Sequence, residues 1–464
     1  MEPDHYRFGG GSSATVLHPL VAVAMVLAIF LILWAPLKNA LASLLLAIFL
    51  IPKGQVLVLA GVHLNVYRII LLAGLARWVI SKRKAPLTGG FNSIDRLFAA
   101  GAIAFFVIFS LQYMATQALI KALGDLLDAL AGYFVLRFFI RDRDTVRETI
   151  RVMAIVAFIA GICMLNEQRT GVNVFGLLGG TLSISETRNG AIRSMGPFLH
   201  SIPAGAFGAT LVPLLIWLWS EKTFRKTAIL GFLGATVMAI TCHSSTVLGC
   251  YVAGIFGLCM WPLRKQMRLI RYGLLLSVIV LHLVMKGPVW SLLEHIDLTG
   301  SSENFHRYQL VDTFIRHFDE WWLLGTQNNG SWGWEMADTS NEYVTYGIGG
   351  GLLSFVLFIA IISKCLGRIG TKRKLVSGNR SEEWFFWCLG SAMLSHLVVF
   401  IGIDYFDQML LAWFALLVMI STSVSTATPN GKAKPVRRLK NLKRWYFDHE
   451  LDEEFQEPKL LNVL

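Results

Sequence analysis

The chain of 464 residues is 55% hydrophobic and 16% charged, and its mean hydropathy is +0.56. This composition excludes an ordinary soluble domain and indicates a membrane protein. The formal net charge of +12 comes mostly from short loops and one cluster near the C-terminus, which is typical of segments that face anionic headgroups. No nucleic-acid motif is present, so no nucleic-acid partner is predicted.

Apolar segments of roughly 20 residues, the length that crosses about 30 Å of hydrocarbon, recur along the chain. The sequence predicts no cleavable signal peptide at the first of these apolar segments. The predicted spans are 17–35, 39–51, 62–80, 97–116, 119–139, 149–165, 202–219, 227–241, 244–262, 270–287, 346–364, 384–402 and 408–425. Because Pro52 and Lys53 interrupt the region 39–62, one span with a re-entrant piece is an equal alternative there. The predicted fold class is therefore all-α, a polytopic membrane protein with 12–13 transmembrane helices.

Lysine and arginine concentrate in alternate loops, which the positive-inside rule assigns to the cytoplasm. These residues are Lys82, Arg83, Lys84, Arg137, Arg141, Arg143, Arg147, Lys222, Arg225, Lys226, Arg264, Lys265, Arg268, Arg271, Lys364, Arg368, Lys372, Arg373 and Lys374. The segments 112–121, 166–201, 241–244, 288–345 and 403–407 are then predicted to face outward. The C-terminus is predicted to be cytoplasmic. The side of the membrane on which the N-terminus lies stays undecided, because the number of spans is uncertain by one.

Four regions follow from this pattern. An N-terminal transmembrane bundle covers 1–287, a large extracytoplasmic loop covers 288–345, and C-terminal transmembrane helices cover 346–425. The cytoplasmic tail, 426–464, is first basic and then acidic, a pattern that favours a solvated segment.

Arginines mark the first long outer loop. Arg188 and Arg193 precede Gly196-Pro197, and His200 stands just before the next span. A guanidinium group makes paired, charge-assisted hydrogen bonds with phosphate oxygens, which suits a diphosphate site. The alternative is that these arginines only reach out to lipid headgroups.

The second outer loop contains an amphipathic pattern over 306–318, which predicts a helix with His306 and Arg307 at its start. Tryptophans surround it, and their faces could stack on sugar rings or anchor the loop at the membrane interface. They include Trp321, Trp322, Trp332 and Trp334.

Carboxylates stand where this loop enters the next span. The sequence there is Asp338-Thr339-Ser340-Asn341-Glu342-Tyr343. A helix N-terminus lowers the cost of negative charge, so Asp338 or Glu342 could act as a general base. Helix capping by Asp338 is an equal alternative.

The sequence predicts no metal and no cofactor. Its six cysteines have no metal-type spacing, and no phosphate-binding loop or zinc-protease motif is present, which argues against an ATP-driven pump and a zinc protease. Charges inside the spans include Arg68, Asp125, Asp128 and Arg137. Pairing of Arg68 with Asp128 is the favoured interpretation, because an unpaired charge there is costly. The alternative is that these charges line a hydrophilic cavity that leads to the outer face.

Four segments, in this order, resemble the O-antigen polymerase and O-antigen ligase superfamily of bacterial polysaccharide assembly. They are RSMGPFLHS (193–201), FHRYQLVDTFIRHFDEWWLLGT (305–326), DTSNEYVTYGIGGGLLSFVLF (338–358) and IDYFDQMLLAWFALL (403–417). Ligases of this superfamily usually have a histidine just before Asn-x-Tyr. Asp338-Thr339-Ser340 stands there instead, which favours a polymerase.

The resemblance implies a glycosyltransferase of the inner membrane that needs neither metal nor nucleotide. Its partners would be a lipid-linked oligosaccharide donor and acceptor, with a chain-length-regulating co-polymerase as a further candidate. Arg193 and Arg307, supported by Arg188, would stabilise the leaving undecaprenyl diphosphate, and Asp338 or Glu342 would be the base. Residues predicted to bind substrate are Arg188, His200, His306, Trp321, Trp322, Trp332, Trp334, Asn341 and Tyr343. The alternatives are a ligase and a transporter of the same lipid-linked units.

Overall fold

A computed structural model describes residues 15–59, 62–81, 87–188, 190–295 and 303–425. Its helices are α1 (Pro19–Trp34), α2 (Leu37–Leu50), α3 (Val66–Ile80), α4 (Ser93–Tyr113), α5 (Thr116–Phe139), α6 (Arg143–Thr170), α7 (Ser201–Ser220), α8 (Arg225–Thr241), α9 (Ser245–Cys259), α10 (Met267–Val284), α11 (Leu292–His295), α12 (Glu303–Arg316), α13 (Phe318–Trp321), α14 (Glu342–Leu375), α15 (Arg380–Val399) and α16 (Asp407–Ser425). Two antiparallel hairpins accompany them, β1 (Val56–Leu59) with β2 (Val62–Asn65) and β3 (Glu186–Arg188) with β4 (Ala191–Arg193).

The structure is thus mostly helical, and each predicted span overlaps one of its helices. Seven of the described helices are long and apolar enough to cross a membrane: α4, α6, α7, α8 with the turn before it, α10, α14 and α16. Others fall short for physical reasons. The α2 helix has 14 residues, which extend only about 21 Å. The α5 helix is long enough but carries Lys121, Asp125, Asp128 and Arg137.

Contacts between the loops that connect the helices define two ends of the helix bundle. At one end, Arg143 pairs with Glu382, and Arg147 pairs with Glu221. We call this the basic end, because most of the described lysines and arginines of the predicted cytoplasmic loops lie there. Residues 82–84 and the tail 426–464 lie outside the described residues.

The opposite end, here called the loop end, joins the connections that were predicted to face outward. Gln55 donates to the carbonyl oxygens of Leu178 and Gly179, both at 2.6 Å. Gln408 donates to Pro197 O at 3.0 Å. The backbone N–H of His18 donates to Gln55 Oε1 at 3.0 Å, so α1 begins at this end.

The α14 helix is broken inside its apolar run, and the connection before it fills the break. Gly351 has φ of 61° and ψ of −173°, a conformation that favours glycine. Leu352 N donates to Trp322 O at 2.8 Å, and Thr326 N donates to Ile348 O at 2.9 Å. Backbone groups that the break releases from the helix are therefore satisfied by the α10–α14 connection.

That connection has its own small core. It consists of Leu310, Phe314, Trp321, Trp332, Met336, Val344 and Ile348. The α12 helix supplies Leu310 and Phe314, which confirms the helix predicted from the amphipathic pattern. The sequence also predicts a turn at Gly300, Ser301 and Ser302, which lie outside the described residues.

Two ion pairs connect charged groups on neighbouring helices. Arg68 contacts both oxygens of Asp128, with Nη2 2.8 Å from Oδ2, which confirms the predicted pair. Arg137 Nε lies 3.2 Å from Asp95 Oδ1, and both side chains are fully buried. The α4 and α5 helices are thus joined at the basic end by an ion pair that solvent does not reach.

Candidate functional site

A cavity of about 600 Å³ opens among the helices at the loop end. Helices α4, α5, α14 and α16 supply most of its wall. Its apolar part is largely aromatic and includes Phe98, Phe105, Phe106, Phe109, Phe358 and Phe414. Along α4 the lining runs from Phe98 to Gln112, a distance of roughly 20 Å at 1.5 Å per residue.

The mouth of the same cavity is polar. Lining residues there include Lys53, Lys121, Asp125, Asp128, Thr339, Glu342 and Asp407. Apolar depth and a charged mouth together suit an amphipathic molecule, with its hydrocarbon among the phenylalanines and its polar group at the loop end.

Asp407 holds a distinctive position at this mouth. It is the first residue of α16, and its φ of 54° is positive, which is uncommon for a residue other than glycine. Its Oδ1 lies 2.7 Å from Lys53 Nζ, and its side chain is 7% exposed. Its Oδ2 is buried and has no hydrogen-bond partner among the described residues. A buried acceptor of this kind is costly to leave unsatisfied, so it is available to a ligand hydroxyl.

Lys53 connects this carboxylate with a second charged group. Its Nζ lies 5.0 Å from the centre of the Tyr67 ring, over the ring face. Tyr67 donates from its hydroxyl to Asp128, the partner of Arg68. The network therefore runs from α16, through the connection after α2, to α3 and α5.

Glu342 lines the cavity as well, and its neighbours fix its place. Its Oε2 accepts from Tyr405 N at 2.5 Å, and its own N–H donates to Phe400 O at 2.9 Å. Asn341 caps α14 by accepting from Tyr343 N at 3.0 Å and donates to Ile401 O. The three residues 341–343 thus bind the start of α14 to the α15–α16 connection.

Asp338 differs from Glu342. It is exposed, does not line the cavity and does not cap α14, because Asn341 does. Its charge still acts on Asp404: burial first, and then the negative charges of Asp338 and Asp407, raise the pKa of Asp404 to about 6. His200 opposes this rise, so these groups form an acidic cluster with one imidazole beside the cavity mouth.

Arg193 belongs to a different cluster, at the end of β4. Its Nε donates to Cys242 O at 3.3 Å, and burial, followed by the charge of Arg188, lowers its pKa. The adjoining backbone is held by the buried Glu167, which accepts from Met195 N and Gly196 N, both at 2.9 Å. Arg193 and Arg188 are therefore positioned on a hairpin beside the α8–α9 turn, and they do not line the cavity.

Arg307 and His306 lie on α12, in the α10–α14 connection. Arg307 is buried, and His306 Nε2 lies 3.1 Å from Glu335 O. Neither lines the cavity. A role for Arg193 and Arg307 at one shared anion site stays a prediction.

The four tryptophans fall into two kinds. Trp321 stacks on Phe314 at 4.1 Å, and Trp332 stacks on His317 at 5.0 Å, so both serve the core of the connection. Trp322 and Trp334 are 46% and 82% exposed. Of these four, Trp322 and Trp334 are the two exposed enough for a sugar ring to stack on them.

Lys53 and Asp407 are not among the residues predicted to form the site, although Asp407 belongs to the segment 403–407 that is predicted to face outward. The available signal was a lysine inside an otherwise apolar region, where a charge usually has a function or a partner. Within the described residues, no group of three or more His, Cys, Asp and Glu side chains is placed to hold a metal ion. No family model matches this chain, and no curated protein matches it either.

Proposed function

We propose that the protein polymerises undecaprenyl-diphosphate-linked oligosaccharide units into an exopolysaccharide or O-antigen at the outer face of the bacterial inner membrane. One observation carries this proposal: a cavity that extends roughly 20 Å along α4, with a largely aromatic wall and a charged mouth that contains Lys53, Glu342 and Asp407. The resemblance of four ordered segments to polymerases supplies the substrate class. The energy for the reaction is stored in the lipid diphosphate.

The donor would place part of its polyprenyl chain among the phenylalanines and its diphosphate at the mouth. Lys53 and Lys121 are the cations that line this cavity. Negative charge grows on the diphosphate as the bond to the sugar breaks, so a fixed cation stabilises the transition state more than the ground state. Arg193 and Arg307 stay candidates for contacts with parts of the donor outside the cavity.

In the transfer step, a hydroxyl oxygen of the second lipid-linked unit attacks the anomeric carbon of the donor. A carbon–oxygen bond forms, and the bond from the anomeric carbon to the phosphate oxygen breaks, with its electron pair leaving on the diphosphate. The hydroxyl proton goes to a carboxylate. Asp407 becomes the first candidate for this base, since its Oδ2 is without a protein partner, and Glu342 is the second.

Packed side chains close the cavity on the side of the basic end, so a reaction in it would take place at the loop end. Phe98 stacks on Tyr133 with ring centroids 4.1 Å apart, and Tyr133 donates to Asp95 at 2.7 Å. Asp95 in turn pairs with Arg137. This packed layer lies between the cavity and the basic end. A ligase would use the same cavity and differ only in its acceptor.

The test is polymer formation by the purified protein in nanodiscs, supplied with the lipid-diphosphate-linked repeat unit and no nucleotide. Wild type is compared with Asp407→Asn, Lys53→Gln, Arg193→Ala and Arg307→Ala, each shown to be folded by its thermal unfolding. We expect a glycan ladder from wild type and its loss in Asp407→Asn and Lys53→Gln.

Each other outcome has a distinct meaning. A ladder unchanged in Asp407→Asn and Lys53→Gln but lost in the arginine variants would keep the enzyme and move its site to the loops. Labelled lipid that crosses the bilayer without any glycan transfer would overturn the proposal in favour of transport. Transfer of one finished glycan to a different acceptor would identify a ligase.

A further inference from the structure

A second cavity, of about 750 Å³, lies at the basic end. It is bounded by the end of α14, the start of α15 and the connection between α9 and α10. Its lining residues are Trp261, Arg264, Lys265, Arg373, Lys374, Ser377, Gly378, Arg380 and Glu383. Five of these nine carry a positive charge and one a negative charge, so the lining has a formal charge of +4.

The single carboxylate is already shared by two arginines of the wall. Glu383 Oε1 lies 3.4 Å from Arg373 Nη1 and 3.3 Å from Arg264 Nε. Arg373 also donates from Nη2 to Arg264 O at 2.7 Å, and its side chain is only 8% exposed. These contacts hold the wall rigid, and they leave the charges of Lys265, Lys374 and Arg380 without a matching carboxylate in the lining.

Tryptophans beside the cavity indicate its depth in a membrane. The Arg264 guanidinium lies 4.1 Å from the Trp261 ring centre, and Trp384 and Trp387 pack edge-on against that ring at 5.0 and 5.8 Å. Clusters of tryptophan are typical of the level of lipid headgroups. The α10 helix, which starts beside the cavity, has no buried residue in the described structure. Its exposed apolar side chains therefore offer a surface for acyl chains next to the basic cavity.

We propose that this cavity binds the phosphate group of an anionic phospholipid. Basic pockets between membrane helices are suited to such headgroups, because guanidinium and ammonium groups meet the phosphate oxygens while the chains stay in hydrocarbon. The inference is independent of glycan transfer, since the cavity lies at the other end of the bundle. Phosphate chemistry is shared by lipid headgroups and by small soluble phosphates, and the experiment separates these two sources.

The test measures retention of phosphatidylglycerol by the full-length protein in native mass spectrometry, with phosphatidylcholine as the neutral reference lipid. The site variant is Lys374→Gln/Arg380→Gln, which removes two cations and leaves the wall pairs intact. The matched control is Lys222→Gln/Lys226→Gln, which removes two exposed cations near the start of α8 that do not line the cavity. We expect the site variant to bind phosphatidylglycerol at least about tenfold more weakly than wild type, and the control to match wild type.

Competition then distinguishes the sources of phosphate. If inorganic phosphate or glycerol phosphate at millimolar concentration displaces the lipid, the cavity serves soluble phosphates. Equal losses of phosphatidylglycerol binding in the site variant and the control would reveal a general surface-charge effect and overturn the proposal. Equal binding of phosphatidylglycerol and phosphatidylcholine by wild type would overturn it as well. Thermal unfolding in phosphatidylcholine checks that the site variant is folded, and Lys265→Gln replaces it if it is not.

Discussion

Lys53 Nζ and Asp407 Oδ1 lie 2.7 Å apart, and this ion pair joins segments that are more than 350 positions distant in the chain. Lys53 follows α2, and Asp407 begins α16. Both residues line the cavity at the loop end. The pair therefore fixes the cation and the carboxylate of the mouth relative to each other before any ligand binds, which is the kind of preorganisation that catalytic sites use.

Replacing Asp407 by asparagine is expected to reduce glycan transfer by about 10²–10⁴-fold, the range typical of a lost general base. Asparagine tolerates the positive φ at this position, so the fold should be kept. Initial rates of polymer formation at saturating donor measure the effect. Asp125→Asn is the matched control, because Asp125 also lines the cavity but is exposed and paired with Lys121 at 2.7 Å. Equal losses in both variants would contradict a specific role for Asp407.

Replacing Gly351 by alanine is expected to destabilise the protein by about 1–3 kcal/mol or more. A Cβ atom there would stand 2.6 Å from Leu323 O, and alanine disfavours the φ of 61°. Thermal unfolding in detergent measures the change. Gly367→Ala on the same helix is the control, since its Cβ would meet nothing within 4 Å. A Gly351→Ala protein as stable as wild type would mean that the break in α14 is not required.

The helices could be predicted because hydropathy and length are local properties. Each predicted span overlaps a helix, α12 lies where the amphipathic pattern placed it, and Arg68 pairs with Asp128. Hairpins of three or four residues on each strand were missed, since such short strands leave no periodic signal. The break at Gly351 was also missed, because its cause is the approach of Trp322 and Leu323 from another segment.

The candidate site was harder to predict than the fold, because its members come from distant parts of the chain. Glu342, predicted as a candidate base from its place at a helix start, lines the cavity, and its role as a base stays a prediction. Asp338, four positions earlier, has similar local surroundings in sequence yet is exposed. Only the packing of α14 against the α15–α16 connection separates the two. Lys53 was interpreted as an interruption of a span, since its partner Asp407 cannot be identified from local sequence.

Asp404 gives a prediction for the dependence of stability on pH. Its pKa is raised from 3.8 to about 6 in the folded protein, mainly by burial. Between these values the folded state keeps a proton that the unfolded state has lost, so the contribution of Asp404 to stability falls as pH rises from about 4 to about 6. We expect Asp404→Asn to remove this component and to gain stability relative to wild type above pH 6. Unfolding temperatures of wild type and Asp404→Asn from pH 4 to 8 measure this difference in stability. Parallel curves for the two proteins would contradict the raised pKa of Asp404.

The buried pair of Asp95 and Arg137 gives the largest expected loss of stability. Both side chains are 0% exposed, and Asp95 also accepts from Tyr133 at 2.7 Å and from Ser421 at 3.0 Å. Asp95→Asn leaves the guanidinium buried without its counter-charge, which typically costs about 3–5 kcal/mol.

Lys121→Gln is the matched control, because the Lys121–Asp125 ion pair lies within α5 and is exposed, at 47% and 51%. It should change stability by at most about 1 kcal/mol. Chemical or thermal unfolding in detergent compares the two variants. Similar small losses of stability in both variants would mean that water reaches the Asp95–Arg137 pair and that the layer between the cavity and the basic end is not sealed.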